Sequence, residues 1–344
     1  MSRRAPVEFC ALLLALALLA ACGKPRTTVV ERLPELEIAP GSVTVSGISA
    51  GGYMAVQFHV AYSGLVNGVG VIAAGPYYCA ESSLRHALGR CMRGTDEIPF
   101  AQLATLTSEL ALDDRIDPIS DLANDQVWIL HGARDNVVDQ RVVDALESYY
   151  GTLVEPRGIV RVEQPGTAHT FPTSAAGGPC TESKSPWLGQ CGYDAAGALL
   201  QHLYGRRLEP PRKPDADGLR SFDQRPYAEL AATSALAASG WVYVPQSCRQ
   251  RSAVCRLHVV FHGCRQGASF VGDRFVRQAG YLEWATSNQI VVLFPQIEAA
   301  LQPLNPNGCW DWWGYEDSRY ALREGPQMLA VRAMIADLRG ETPR

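Results

Sequence analysis

Val43-Thr44-Val45-Ser46-Gly47-Ile48-Ser49-Ala50-Gly51-Gly52 is the stretch on which the fold turns. Its first residues are β-branched and apolar and read as a buried strand. The residues from about Gly51 to Tyr62 read as a helix. Between them, Gly47-Ile48-Ser49-Ala50-Gly51 fits G-x-S-x-G, a strand-to-helix turn sharp enough to lift a serine hydroxyl out of a sheet. Glycines flank such a serine because a Cβ would collide there. The pentapeptide alone fits many turns; the strand before it and the helix after it make Ser49 a candidate nucleophile.

The same alternation continues outward. Val69–Ala73, Val127–Leu130 and Ile159–Val162 read as strands, with a helix from about Gln140 to Tyr149. A second series follows, with strands at Gly240–Pro245, Leu257–Phe261 and Ile290–Phe294 and a helix at Met328–Leu338. Strands alternating with helical patterns predict an α/β fold, a mostly parallel sheet covered by helices. Glu81 to Asp125 is longer than one crossover helix needs and is expected to form a small helical insertion. Glu209–Gly218, rich in Pro, Asp and Arg, reads as a surface connection between the halves.

A serine hydroxyl needs a base, and the base needs an acid to orient it. Asp135 lies in a loop just past the strand Val127–Leu130 and is the candidate acid, with Asp139 as the fallback. By composition alone it would read as a turn or capping aspartate. His169, in Gly166-Thr167-Ala168-His169-Thr170-Phe171-Pro172, again follows a strand and is the candidate base. The chain order Ser49, Asp135, His169 is that of α/β-hydrolases. Of the other histidines, His131 and His262 end strands before a glycine and are read as loop supports; His59 falls in the nucleophile helix. His86, His202 and His258 show no partner pattern.

The backbone N–H of Ala50 is the expected first oxyanion donor. The second donor ordinarily comes from an HG-type loop upstream of the serine. Here that loop appears downstream, as Phe261-His262-Gly263-Cys264-Arg265-Gln266. A circular permutation explains the displacement, since chain termini often lie close together at a surface.

Residues 1–22 read as an export signal: Arg3 and Arg4 precede an apolar run from Phe9 to Ala21 that is short for a membrane span. Its ending, Leu19-Ala20-Ala21-Cys22, resembles a bacterial lipoprotein signal, which predicts lipidation of Cys22 and a membrane anchor. Residues 23–40 read as a tether, and 41–344 as one catalytic domain. Of the 10 cysteines, those beyond the signal are Cys79, Cys91, Cys180, Cys191, Cys248, Cys255, Cys264 and Cys309. An even set in an exported chain predicts disulfides. Close spacing favours Cys79–Cys91, Cys180–Cys191 and Cys248–Cys255, leaving Cys264 and Cys309, out of about 105 connectivities. Zinc is the rival use, but no C-x-x-C pair or suitably spaced histidines accompany it, so no metal or other cofactor is expected. A net charge of −4 with scattered arginines gives no field for nucleic acid.

One further segment stands out. Asn307-Gly308-Cys309-Trp310-Asp311-Trp312-Trp313-Gly314-Tyr315 carries four aromatics in six residues. Period-two alternation would place Trp310 and Trp312 on one face and Trp313 and Tyr315 on the other. Trp310, Trp313 and Tyr315 are the candidate substrate-binding residues, because apolar ligand surfaces favour aromatic walls.

Gly47–Gly52, the His131–Asp135 segment, His169-Thr170-Phe171-Pro172, the His262–Gln266 loop and this aromatic segment together resemble the esterases that depolymerise poly(3-hydroxybutyrate). The resemblance runs from about Gly41 to the C-terminus. It implies a circularly permuted α/β-hydrolase fold with Ser49, Asp135 and His169 as catalytic residues. It also implies that the N–H of Cys264 is the second oxyanion donor, held by a disulfide to Cys309, and that the substrate is the polyester or its oligomers. Many secreted members carry an additional polymer-binding domain; none is read in this sequence, so crystalline polymer is expected to be a poor substrate. A feruloyl or acetylxylan esterase would use the same machinery. A lipoprotein that binds polyester or glycan without cleaving it is the rival from another class.

Overall fold

The structure, a computed structural model, describes residues 32–205, 207–250 and 252–341. Its strands are β1 (Glu37–Ile48), β2 (Val66–Ile72), β3 (Gln126–Gly132), β4 (Ile159–Gln164), β5 (Phe171–Thr173), β6 (Gly178–Pro179), β7 (Leu188–Gln190), β8 (Leu219–Asp223), β9 (Ser239–Tyr243), β10 (Val254–Phe261) and β11 (Ile290–Phe294). Eight of them form one sheet in the order β4-β3-β2-β1-β10-β11-β9-β8. All neighbours from β4 to β11 run parallel, whereas β9 and β8 pair antiparallel at the edge.

This order shows the permutation directly. β1, the strand leading to Ser49, is central and pairs on one side with β2 and on the other with β10, from the far half of the chain. Strands β8 to β11 fill the side of the sheet that would come first in an unpermuted hydrolase. The fold is thus an α/β-hydrolase type, and the connection at Glu209–Gly218 joins two halves of a single sheet rather than two separate sheets.

Parallel strands buried on both faces read as continuous apolar runs. Val45, Val259, Ile129 and Val291 are all fully buried. The nucleophile helix α1 (Ala50–Ala61) is buried at every one of its 12 residues. A helix apolar all round needs cover on its outer face. The aromatic run and the stretch after it supply it: Gln57 Nε2 donates to the Asp311 carbonyl at 3.0 Å, and the Tyr62 hydroxyl to the Arg323 carbonyl at 2.7 Å.

Four features differ from the sequence reading or sharpen it. First, β1 begins at Glu37, and Leu33 and Ile38 are buried, so the chain joins the fold before Gly41, inside the stretch read as tether. The alternation there is short and polar on its outer face, which hides it in sequence. Second, β8 was not foreseen; it is a five-residue edge strand in which only Phe222 is fully buried. Third, the insertion after β2 is helical, with α2 (Leu84–Leu88), α3 (Arg90–Arg93) and α4 (Phe100–Leu112), stapled by Cys79–Cys91. Fourth, β5, β6 and β7 make a small separate sheet stapled by Cys180–Cys191.

His258 has partners that its sequence did not disclose. Its ring bridges Thr44 Oγ1 at 2.7 Å and Ser46 Oγ at 2.8 Å, tying β10 to β1 in the core. Burial there pushes its pKa down to about 3, so it stays neutral. The stretch read as a lipoprotein signal, Cys22 included, lies outside the described residues.

Candidate active site

Ser49 has φ 57 and ψ −125, a left-handed backbone that a non-glycine residue adopts at a cost of about 1–3 kcal/mol. The turn is over-determined by its neighbours. A Cβ on Gly47 would lie 2.1 Å from the Gly51 carbonyl oxygen, and one on Gly51 would lie 2.2 Å from that of Phe261. Neither position accepts a side chain. The Ser49 N–H is spent on the Ile72 carbonyl at 2.9 Å, while its side chain is left partly exposed in a crevice.

Asp135 and His169 meet across two loops that leave neighbouring strands β3 and β4. Asp135 Oδ2 lies 2.7 Å from His169 Nδ1, and Oδ1 accepts the N–H groups of Val137 and Val138 at 2.8 and 2.9 Å. Burial raises the carboxyl's pKa, but the hydrogen bond and charge of His169 and the two N–H donors outweigh it, leaving it below the usual range. The His169 N–H donates to Ser183 Oγ at 3.0 Å, and its carbonyl side leads straight into β5. Ser49 and His169 line the same crevice but make no hydrogen bond to each other in this structure, a looseness common before substrate binds. Asp139, the fallback acid, instead caps the helix α5 (Gln140–Tyr150) and pairs with Arg141. His131 and His262 do brace loops, His131 through the Val138 carbonyl and His262 through the Gly263 carbonyl and the Ile297 N–H.

The loop after β10 is wired so that one N–H remains open. The Gly263 N–H donates to Gln266 Oε1 at 2.8 Å, and the Arg265 N–H to the Asn307 carbonyl at 2.7 Å. Among the described residues, the N–H groups of Ala50 and Cys264 have no partner. Cys264 is bonded to Cys309, and the other three pairs are those favoured by spacing. Gln266, buried, also donates through Nε2 to the Trp187 carbonyl at 3.0 Å, joining this loop to the His169 side of the crevice. Gln266 sits in the quoted loop, yet nothing in the sequence assigned it this role.

The crevice has a volume of about 570 Å³ and mostly apolar walls. Trp312, Trp313 and Tyr315 line it, with Trp312 stacked on Tyr53 at 4.3 Å. Trp310 does not line it: it is fully buried, edge-on to Phe261 and against His262, so its candidacy for substrate contact is corrected in favour of Trp312. The period-two expectation fails because the segment is a turn and not a strand. Buried Asp311 gathers the N–H groups of Trp313, Gly314, Tyr315, Glu316 and Asp317 around one carboxylate. Trp187 and, from the insertion, Leu84, Leu88 and Met92 complete the wall. No periodic signal marks them in sequence.

No protein-family model matches the chain. A poly(3-hydroxybutyrate) depolymerase of Delftia acidovorans is 41% identical over 323 residues, covering 93% of this chain; the chain spans 64% of that relative's length. A polyhydroxybutyrate depolymerase of Talaromyces funiculosus is 34% identical over 319 residues, covering 89% of this chain and 92% of the relative. Among solved structures, a PHB depolymerase from Penicillium funiculosum superposes with a TM-score of 0.82 at 33% identity, covering 90% of this chain and 99% of that one. A serine-to-alanine variant of a PHB depolymerase, complexed with an R3HB trimer, gives 0.83 at the same identity and coverage.

Proposed function

Because this chain belongs to the poly(3-hydroxybutyrate) depolymerase family, we propose that it is a serine esterase that hydrolyses 3-hydroxybutyrate polyester or its oligomers. The observation that carries this reading is the meeting, at one apolar crevice, of a strained Ser49, the Asp135–His169 pair and two unpartnered N–H groups. Ser49 Oγ attacks the ester carbonyl while His169 takes its proton. Asp135 holds the imidazole through Nδ1 and stabilises its positive charge. The carbonyl oxygen, now negative, accepts hydrogen bonds from the N–H groups of Ala50 and Cys264. His169 returns the proton to the leaving alcohol, and water, activated by the same base, releases the acyl group.

Trp312, Trp313 and Tyr315 supply the wall against which successive methyl-bearing units pack. Binding energy from units remote from the scissile bond can then be used in the transition state. Comparing kcat/KM across hydroxybutyrate dimer to tetramer, a feruloyl ester and acetylated xylan tests the reading. The expected result is a rise along the oligomers; preference for a sugar ester would replace the substrate class and leave the esterase chemistry.

The four disulfides support an exported protein, since such bonds persist in oxidising compartments. The Leu19-Ala20-Ala21-Cys22 sequence adds lipidation of Cys22 and a membrane anchor, joined by a tether to a catalytic domain that runs to the C-terminus. Mass spectrometry of the mature N-terminus is expected to find acylated Cys22; an unmodified start elsewhere would remove the anchor from the account.

A further inference from the structure

The crevice is mostly apolar, and its lining holds very little charge. Among the residues that line it, Arg265 alone carries a full charge, and no Asp, Glu or Lys accompanies it. Arg265 is exposed and pairs with no carboxylate among the described residues. Its position is nevertheless fixed. The backbone is left-handed, at φ 57, the N–H is bonded to the Asn307 carbonyl at 2.7 Å, and Nε donates to Asn307 Oδ1 at 2.8 Å. Asn307 lines the crevice too, so the guanidinium is tethered by one edge and both Nη groups stay open. It also directly follows Cys264, whose N–H is open to an oxyanion.

An open guanidinium fork matches a carboxylate, which it can bind through two parallel hydrogen bonds. A hydroxyacid oligomer carries one carboxylate, at the end of its chain, and always on the alcohol side of every ester in it. The interior of a polyester carries none. We propose that Arg265 binds the free carboxylate end of a hydroxyacid oligomer lying in the crevice, so that the enzyme favours oligomers presenting their acid end over neutral chains of equal length. The inference rests on the esterase reading above and adds a specificity to it. It gives the enzyme a bias toward short, soluble fragments, the products that any depolymerase releases.

The test compares kcat/KM for the (R)-3-hydroxybutyrate trimer as its free acid with the same trimer capped as its N-methyl amide, which is neutral and keeps both internal esters. In wild-type protein the acid-to-amide ratio is expected to fall as salt rises from about 20 mM to about 500 mM, because an exposed pair is screened. In Arg265→Gln the ratio is expected to drop by about fivefold at low salt and to lose its salt dependence; Arg265→Lys, which keeps the charge, should retain most of it. Using a ratio cancels any general loss of activity in the variants. An unchanged ratio in Arg265→Gln, or a wild-type ratio indifferent to salt, would overturn the carboxylate site while leaving the esterase intact. Cleavage of neither trimer by wild-type protein would instead overturn the depolymerase reading, and this one with it.

Discussion

Asp135 and His169 are joined by a 2.7 Å hydrogen bond between side chains that are 1% and 8% exposed. Ionisation of the aspartate survives this burial because the imidazole and two backbone N–H groups donate to it. The pair is therefore, beside its proposed catalytic role, a pH-linked contributor to folding.

The sign of that linkage is fixed by the direction of the shift. The carboxyl's folded pKa lies below its unfolded value, so its contribution is fully present above the unfolded carboxylate range and is lost as pH falls through the folded pKa. Melting temperature measured from pH 7 to pH 2 should accordingly fall less steeply for Asp135→Asn than for wild type. Asp135→Asn should also lose kcat by about 10⁴-fold, as expected when the base is held in the wrong tautomer. Parallel melting curves would remove the linkage, and an active Asp135→Asn beside an inactive Asp139→Asn would move the acid.

Gln266 spans the crevice floor from the Gly263 N–H to the Trp187 carbonyl. Gln266→Leu strands both groups and frees the loop that presents the Cys264 N–H. Since losing an oxyanion donor costs about 10²–10³ in kcat, misaligning one should cost about 10-fold or more with KM nearly unchanged. Equal kcat in folded Gln266→Leu protein would show that the loop aligns itself without this bridge.

The proposed triad was legible because Ser49 and Asp135 follow strongly apolar buried strands, β1 and β3, and His169 follows β4, whose Ile159, Val160 and Val162 still mark it as a strand. Ser49, Asp135 and His169 follow β1, β3 and β4; β3 and β4 are adjacent and only β2 separates β3 from β1, so the three loops share one edge of the sheet. The permutation was legible from a single displaced loop, His262–Gln266. What stayed hidden was set by contacts rather than periodicity. Trp310 and Trp312 exchanged their expected roles because Asp311 folds the segment into a turn. Leu84 and Leu88 reach the crevice from α2, inside the loop that the Cys79–Cys91 disulfide closes; the insertion is held to α1 where the Tyr53 hydroxyl donates to the Cys91 carbonyl.

The Cys264–Cys309 bond ties the oxyanion loop to the aromatic wall across a separation of 45 residues. In the chain-entropy model a loop of that length is worth roughly 4 kcal/mol. The double variant Cys264→Ser, Cys309→Ser, which keeps the backbone N–H at 264, should melt lower and lose kcat more than it raises KM. A variant destabilised by that amount yet fully active below its melting point would make the bond purely structural.

Trp313 packs between Trp312 and Tyr315, with ring centroids at 5.4 and 5.0 Å, and is itself only partly buried. Trp313→Ala should lower kcat/KM for a hydroxybutyrate trimer by about 10-fold or more, while a short chromogenic monoester is affected less, because the monoester leaves the remote wall empty. An equal loss on both substrates would place Trp313 at the reacting ester instead.

If Ser49 carries the acyl group, an irreversible acyl-site reagent will find it there. Wild-type protein treated with a fluorophosphonate, digested and mapped should carry the label on Ser49 alone, with hydrolysis of hydroxybutyrate trimer lost in proportion to labelling and no label on Ser49→Ala protein of unchanged melting temperature. Label on a different serine, or full trimer hydrolysis by protein completely labelled at Ser49, would show that Ser49 is not the nucleophile.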